Sequence, residues 1–473
     1  MNFIAYRHYY YGSPFYFSSA FSLLPIKLAQ DIRNTPQLNM LILRQLISVL
    51  PMLGAIAVLT YTQTRFKSFA KSVGLFIFLL SISAVVENNL WWHADSLAVF
   101  FVALTIFFLD RDDLRFGSNF YLAAICTGPA TGTKVIGLFF FLAIPVYITV
   151  GVVQGSLTRR AAFLRAIAFV VIMAATIVIS NPFMLLPSQF ARMIRILSNQ
   201  SDSLLVGWTL FYSKGPASWL PILNELYGTL LFLALALTAL FIGVWRSENR
   251  VRHLIIAMWA IPFGLYILFF IAIKPTHFFL PILLPVYSSV IALFELPPFI
   301  KSSTPKRLDF IWRGLIVAVI GFQFFTYLKK DTALYLDVLT READKKTIAF
   351  YKTIERDYLP RIPADRKVKV FRDVKMYFPD TSRWIVSSYW NSNYARIEKL
   401  QPDVILLWAQ RIRDYTNPRA QSTAIDPASF QDTYQFYVDA DHDRLRNYHL
   451  IYRDHVGLMF VSDEFYEQFF KQK

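Results

Sequence analysis

The sequence has few charged residues and one cysteine. Charged side chains make up only 17% of the 473 residues and hydrophobic ones 55%, and the mean hydropathy is +0.40. This balance is too apolar for an ordinary soluble globular protein and indicates a polytopic membrane protein. The single cysteine, Cys126, lies inside an apolar stretch. It excludes an internal disulfide framework and a zinc site built from thiolates.

Two further features are missing near the N-terminus. No charged region followed by a short apolar core and a small-residue cleavage site precedes Leu41, so we expect no cleavable signal peptide. Acidic residues are scarce as well, because no aspartate precedes Asp31 and no glutamate precedes Glu87.

Long apolar stretches dominate the chain up to about residue 327. Each is close to the length that crosses a hydrocarbon core of about 30 Å. They cover residues 41–62, 73–90, 96–109, 119–133, 135–153, 166–181, 228–245, 255–273, 278–296 and 309–327. The sequence therefore predicts a mainly α fold, in which residues 41–327 form a transmembrane bundle of about ten helices.

The composition becomes charged and polar beyond residue 328. Four short segments there have strand-like patterns among helical ones, at residues 368–371, 384–387, 404–408 and 457–461. We therefore predict that residues 328–473 form a small C-terminal extracytoplasmic α/β domain.

Two connecting segments have an interfacial character. Residues 1–40 contain the aromatic run Tyr9 to Tyr11 followed by a Gly-Ser-Pro turn, a pattern typical of headgroup depth. The loop 182–227 has apolar and basic residues at helical spacing after Phe190, which predicts a helix lying on the membrane surface.

The formal net charge of +16 would suggest a nucleic-acid partner in a soluble protein. Here many basic residues fall in short connectors, where they set topology instead. We place the basic connectors in the cytosol, namely those at Arg65, Arg111, Arg159, Arg246 and Lys301. The remaining segments between the apolar stretches then lie outside the cytosol. That outer set comprises residues 1–40, 88–95, 182–227, 274–277 and the chain after about 328.

The segment Glu87 to Asp95 carries the strongest functional signal. Ionisable side chains beside hydrocarbon are costly unless they face a wet cavity or a partner, so Glu87, His93 and Asp95 are candidates for function. The alternative for Asp95 is an N-terminal helix cap. For Glu87, a structural role is favoured over a catalytic one.

Basic residues predicted on the same side form a second candidate group. Lys134 ends the run Gly128-Pro-Ala-Thr-Gly-Thr-Lys, whose spacing is wrong for a phosphate loop; it either snorkels or binds an anionic headgroup. Arg192, Arg195, Lys274 and His277 either contact lipid headgroups or together form a phosphate cradle. By contrast, we interpret Asp110 to Asp113 as a solvated cytoplasmic turn.

In order along the chain, these elements resemble the GT-C superfamily of membrane glycosyltransferases. The resemblance rests on Trp92-His-Ala-Asp95-Ser leading into an apolar run, the glycine segment before Lys134, Asn181-Pro182 opening a long loop, and His277-Phe-Phe-Leu-Pro. It covers roughly residues 5–300. The branch that it resembles holds protein O-mannosyltransferases and lipid A aminoarabinose transferases.

The resemblance implies an inverting transferase that uses a polyprenyl-phosphate sugar as donor. A carboxylate takes the proton of the acceptor hydroxyl, and cations stabilise the departing phosphate. By this resemblance Asp95 matches the family's second-loop acid, Lys134, Arg192 and Arg195 bind phosphate, and Tyr10 or Tyr11 lines the donor groove. Asp95 and His93 are the predicted catalytic residues. Glu87 and His277 complete the predicted substrate site.

The chain departs from that family at its start, where we expect a first helix and its catalytic acid to be missing. This departure keeps two other functions open: a transporter or flippase for a lipid-linked sugar, and a non-catalytic membrane subunit. The sequence leaves the acceptor undecided among a lipid, a glycan and a protein. It also leaves undecided whether a divalent metal takes part. We expect a multi-pass protein of the bacterial inner membrane, with its site facing outward and with no nucleic-acid partner.

Overall fold

The computed structural model describes residues 9–29, 35–207, 209, 214–246, 249–295, 306–344, 346–379 and 381–471. The chain divides into two compact units. The first unit comprises Met1–Leu205 and Ser213–Leu334, and the second comprises Val206–Tyr212 and Tyr335–Lys473.

Helices account for the described structure up to residue 344. They are α1 Ser13–Ala29, α2 Pro36–Thr64, α3 Phe69–Leu80, α4 Ser83–Asn89, α5 Asp95–Asp112, α6 Ser118–Thr133, α7 Val135–Val153, α8 Arg159–Ser180, α9 Pro187–Val206, α10 Pro216–Tyr227, α11 Leu230–Arg246, α12 Arg250–Phe270, α13 Leu280–Phe294 and α14 Lys306–Asp344. Short π-helical or 3₁₀ stretches interrupt α2 and α13, begin α7 and end α10.

Five of the described helices are long and apolar enough to cross a membrane: α2, α7, α8, α12 and the Phe310–Thr340 part of α14. Two bent pairs raise the number to seven, α3 with α4 at 62° and α10 with α11 at 90°. At the second bend Gly228 has φ 125°, a conformation that favours glycine. The predicted spans 96–109 and 119–133 correspond to α5, which has charged residues at both ends, and to the 16-residue α6. The figure of ten crossings stays a prediction.

The described parts of the predicted interfacial segments are largely helical. α1 follows the aromatic run, and the predicted boundary at residue 40 falls inside α2, which begins at Pro36. α9 has exposed apolar residues such as Phe190 and Ile194 beside the exposed Arg192 and Arg195. The predicted helix is confirmed, and its position on the membrane surface stays a prediction.

Beyond α14, the second unit contains a five-stranded sheet with helices. The elements are α15 Lys346–Asp357, β1 Val368–Asp373, β2 Trp384–Tyr389, α16 Tyr394–Leu400, β3 Val404–Trp408, α17 Ala409–Thr416, α18 Pro418–Ser422, α19 Pro427–Asp441, β4 Tyr448–Arg453, β5 Gly457–Ser462 and α20 Asp463–Phe469. The strand order is β2-β1-β3-β5-β4. β2, β1 and β3 run parallel, whereas β5 is antiparallel to β3 and β4.

The sheet is buried on both faces, which explains its apolar central strands. One core includes Val370, Leu406 and Met459, and the other includes Phe371, Ile405 and Phe460. Alternate residues of β1, β3 and β5 thus enter opposite cores, as the period of a strand requires. The predicted strands are confirmed, and with them the predicted class of a helical bundle followed by a small α/β domain.

The aspartates at the end of α5 correct one expectation. Asp110 forms ion pairs with Arg65 and with Arg252, the latter at 3.0 Å. Asp112 is buried and accepts hydrogen bonds from the Tyr147 hydroxyl and from the backbone N–H groups of Phe116 and Gly117, all at 2.8 Å. A solvated turn is therefore wrong here, because these carboxylates bind cations and close the C-terminus of a helix.

Asp373 makes the stability of the second unit depend on pH. Its carboxyl is 1% exposed, and burial raises its pKa from 3.8 to about 7 despite hydrogen bonds from Trp408 N and the Tyr437 hydroxyl. A raised folded-state pKa stabilises the fold at low pH, and this stabilisation is lost as the pH rises from about 4 to about 7. We expect a loss of up to about 1.4 kcal/mol per pH unit in that interval.

Asp373→Asn removes the titrating group while keeping an acceptor for Trp408 N, so the slope should flatten. Pulse proteolysis of the second unit in the full chain, repeated across that pH interval, measures this. Equal slopes for the wild type and Asp373→Asn would contradict the assignment.

Candidate functional site

Asp95 is the centre of the predicted site. It is the first residue of α5, and no side chain caps that helix. Its carboxylate is 2% exposed, and Oδ1 accepts a hydrogen bond from Lys134 Nζ at 2.5 Å. The capping alternative is therefore not supported, because Asp95 lies inside the helix and is paired with an ammonium.

Close backbone packing brings Lys134 to this position. Lys134 follows the last residue of α6, and the neighbouring Thr133 carbonyl accepts a hydrogen bond from Gly12 N at 3.1 Å. A Cβ on Gly12 would lie 1.3 Å from the Gly132 carbonyl oxygen, and one on Gly132 would lie 2.4 Å from Ser180 Oγ. The glycines of this segment thus allow the N-terminal residues, α6 and α8 to approach one another.

His93 connects Asp95 to the N-terminal segment. Its Nδ1 contacts Asp95 Oδ2, and its Nε2 lies 2.5 Å from the Tyr11 hydroxyl. Burial raises the pKa of Tyr11, and the Asp95 charge adds to the effect, so the phenol keeps its proton. Since an ionised carboxylate only accepts hydrogen bonds, a neutral His93 has its proton on Nδ1, facing Asp95, and its Nε2 accepts from the Tyr11 hydroxyl.

His277 approaches the same carboxylate from the loop before α13. Its Nε2 is 3.6 Å from Asp95 Oδ2, and its ring centroid is 4.4 Å from that of His93. Burial lowers the pKa of His277 to about 3, although Asp95 acts in the opposite direction, so the imidazole is neutral near pH 7. His93, Asp95 and His277 offer three metal-ligand atoms within 4.8 Å of one another.

Glu87 is not part of the Asp95 cluster, defined here as Asp95, His93, Lys134 and His277. Its Oε1 accepts a hydrogen bond from Thr276 Oγ1 at 3.4 Å. The Thr276 carbonyl also accepts a hydrogen bond from the Tyr227 hydroxyl at 2.6 Å. Glu87 thus helps to hold the loop that carries His277, which agrees with the favoured structural role.

Arg192 and Arg195 line a separate cavity of about 550 Å³. Its other lining residues include Tyr10, Gln189 and Asn199. Tyr9 donates a hydrogen bond to Gln189 at 2.7 Å, and Gln200 donates one to the Tyr10 carbonyl at 3.2 Å. Residues 9–13 form a segment that we call the strap. In the strap Tyr10 lines the cavity and the next residue, Tyr11, contacts His93, so the strap touches both the cavity and the Asp95 cluster.

Three supporting contacts were not predicted. Ser48 Oγ donates to the Trp91 carbonyl at 2.6 Å, Ser19 Oγ accepts from Trp92 Nε1 at 3.0 Å, and Asn181 Oδ1 accepts from Ser13 N at 2.8 Å. Ser48, Ser19 and Asn181 are all buried. A polar residue inside a predicted span, as at Ser48, is the sequence signal that could have identified such a contact.

No known protein-family model matches this chain, and no curated protein matches it. Among solved structures, it is similar to the oligosaccharyltransferase AglB from Archaeoglobus fulgidus in complex with an inhibitory peptide and a dolichol-phosphate. The identity is 11% and the TM-score 0.51, over 90% of this chain and 64% of that one. This chain thus spans less than two thirds of that enzyme.

A second similar structure is ArnT from Cupriavidus metallidurans bound to undecaprenyl phosphate. The identity is 13% and the TM-score 0.49, over 89% of this chain and 83% of that one. At that TM-score the likeness adds nothing to the fold assignment. The likeness to AglB shows that the chain shares the fold of that enzyme over 90% of its own length, and at 11% identity it shows the fold alone.

The Asp95–Lys134 ion pair should appear as strong energetic coupling. Lys134→Met leaves a buried carboxylate without its ammonium and should lower the free energy of unfolding by about 3 to 5 kcal/mol. Adding Asp95→Asn should restore much of that loss, because no charge is then left unpaired. Unfolding of the four proteins in detergent measures the coupling.

Lys274→Met is the matched control, since the Lys274 ammonium donates to two backbone carbonyls, those of Ile271 and Ala272. Its effect should simply add to that of Asp95→Asn. Additive effects for Lys134→Met as well would show that the ion pair contributes little.

Proposed function

We propose that this protein transfers a sugar from a polyprenyl-phosphate donor to an extracytoplasmic acceptor hydroxyl. The observation that carries the proposal is a buried carboxylate paired with an ammonium, near a cavity lined by two arginines. The strap connects the two, because Tyr11 contacts His93 beside the carboxylate and the preceding Tyr10 lines the cavity. Such a site combines a proton acceptor with cations for a phosphate, the two components that this reaction needs.

The cations suit a lipid-borne phosphate. Arg192 and Arg195 are three residues apart on α9, so they present two guanidinium groups on the same helix face. Lys134 lies at the Asp95 end of the strap. A donor phosphate between these groups would meet positive charge on two sides, and its departure would be stabilised as charge develops on its oxygen.

The proposed reaction is a single displacement. The acceptor oxygen forms a bond to the anomeric carbon while the bond from that carbon to the phosphate oxygen breaks, and the electron pair leaves with the phosphate. The acceptor proton passes to the His93–Asp95 pair. Attack opposite to the leaving group inverts the anomeric centre.

The likeness to AglB supports the donor class, because that enzyme's structure contains a dolichol-phosphate. At 11% identity this support concerns the fold and the kind of lipid alone. We place the protein in the bacterial inner membrane with Asp95 facing outward, in keeping with the distribution of basic connectors.

A divalent metal ion is part of the proposal. Two imidazoles and a carboxylate form a donor set that suits Mn²⁺, Fe²⁺ or Zn²⁺, and the histidines approach Asp95 Oδ2 while Lys134 binds Oδ1. His93, Asp95 and His277 would hold such an ion through ligand atoms that lie within 4.8 Å of one another. Its chemistry there would be to attract electron density from an acceptor or phosphate oxygen.

Removing the carboxylate tests the function. Asp95→Asn should lower sugar transfer by about 100-fold or more, because it removes the group that accepts the proton. The assay follows a labelled sugar from a polyprenyl-phosphate donor into membrane lipids, glycans or proteins. Asp113→Asn, an exposed carboxylate just beyond the other end of α5, is the control and should transfer normally.

The outcomes separate the rival functions. Unchanged transfer by Asp95→Asn would remove Asp95 from catalysis. Donor binding without transfer by the wild type would indicate a non-catalytic subunit, and movement of the intact donor across a vesicle membrane would indicate a flippase.

Lys134 and a metal ion should compete for Asp95. We expect Lys134→Met to bind Mn²⁺ about tenfold more tightly than the wild type, since a competing cation is gone. His277→Ala should weaken binding in both backgrounds. Titration calorimetry measures these affinities, and an unchanged affinity in Lys134→Met would contradict a shared carboxylate.

A further inference from the structure

The carboxyl ends of three parallel strands meet at one edge of the second unit. Asp373, Tyr389 and Trp408 end β1, β2 and β3 at this edge. The chain passes from β1 to β2 on one side and then to β3 on the other. Open α/β sheets bind ligands outside the carboxyl ends of strands where the chain changes direction in this way.

Arg411, on α17, is held among three aromatic rings at this edge. Its guanidinium carbon lies 5.9 Å from the Trp390 ring centroid, 6.0 Å from that of Trp408 and 5.9 Å from that of Tyr415. All three distances are at the outer limit of about 6 Å for a cation–π contact, so the three rings surround the guanidinium at van der Waals range and do not stack tightly on it.

Burial raises the pKa of the nearby Asp373 carboxyl and the charge of Arg411 acts to lower it, although the two side chains form no close ion pair. Among the described residues, none of the ion pairs includes Arg411, and its Nε is buried without a hydrogen-bond partner. The nearby Asp373 carboxyl is directed inward, to Trp408 N and the Tyr437 hydroxyl.

Two more cations border the exposed rings. Lys375 Nζ is 5.7 Å from the Trp390 centroid, and Arg396 is 4.5 Å from that of Tyr389. Trp390 is 62% exposed and Tyr389 38%. The aromatic edge, defined as Tyr389, Trp390, Trp408, Lys375, Arg396 and Arg411, thus presents large ring surfaces and positive charge together.

These two features indicate the chemical class of the ligand. An indole face packs against the C–H face of a pyranose ring, and a guanidinium binds phosphate or carboxylate oxygens through its fork of N–H groups. We propose that the aromatic edge binds a saccharide that carries a phosphate or carboxylate group, with Trp390 against the ring and Arg411 on the anion. This site is separate from Asp95 and does not rest on the proposed transferase activity.

The test is calorimetric titration of the full chain in detergent with glucose 6-phosphate and with digalacturonate. Arg411→Ala and Trp390→Ala should each weaken binding about tenfold, since each removes one of the two main contacts. Arg413→Ala is the matched control, because it removes the same charge from an exposed position on the same helix. It should change the affinity by less than about twofold.

Two conservative variants keep the test decisive if an alanine variant does not fold. Trp390→Tyr retains a ring and should retain most of the affinity, whereas Arg411→Lys loses the planar fork and should weaken binding. Asp95→Asn should bind both probes normally. Loss of binding in Asp95→Asn would place the probes at the other site and overturn the proposal.

Three further results would also overturn it. Equal losses in Arg411→Ala and Arg413→Ala would indicate unspecific attraction to a basic protein. Binding of inorganic phosphate as tight as that of glucose 6-phosphate would exclude recognition of the sugar. Adsorption to phosphatidylglycerol vesicles that depends on Trp390 and Arg411, without binding of either saccharide, would make the edge a membrane contact.

Discussion

The site depends on one ion pair, between Asp95 and Lys134. A carboxylate that is 2% exposed is costly without a partner. Its partner follows the last residue of α6, so the start of α5 and the end of α6 must lie side by side. The glycines near Lys134 and the strap of residues 9–13 serve this approach. On the opposite side of the carboxylate, His93 and His277 bring in the strap and the loop before α13.

A second buried charge cluster lies at the other end of α5. Asp110 pairs there with Arg65 and Arg252. Asp95 and Asp110 are 15 residues apart on α5, so the helix separates the two clusters by about 22 Å, which is most of the thickness of a hydrocarbon core of about 30 Å. This separation agrees with the predicted topology, which puts the basic connectors on one side and Asp95 on the other.

The sequence predicted the bundle, most strands and the residues around Asp95, because ionisable groups at the ends of apolar stretches are costly and therefore conspicuous. It could not predict their partners, which depend on tertiary packing. Asp110 and Asp112 are paired and buried, and Arg192 and Arg195 line a cavity apart from the Asp95 carboxylate. The edge strand β4 was missed, since its half-buried pattern is weak. The aromatic edge joins residues at or just after three strand ends with one residue each from α16 and α17, and these segments have no common motif.

The central claim is that Asp95 lies at the end of the bundle that faces outward. Two single-cysteine variants in a Cys126→Ala background test this orientation. In one the cysteine replaces Trp91, which is 54% exposed, and in the other it replaces the exposed Ser118 at the start of α6. A membrane-impermeant maleimide applied to intact cells should label the cysteine at 91, and the cysteine at 118 only after permeabilisation. The reverse pattern would put the Asp95 cluster in the cytosol and contradict the account.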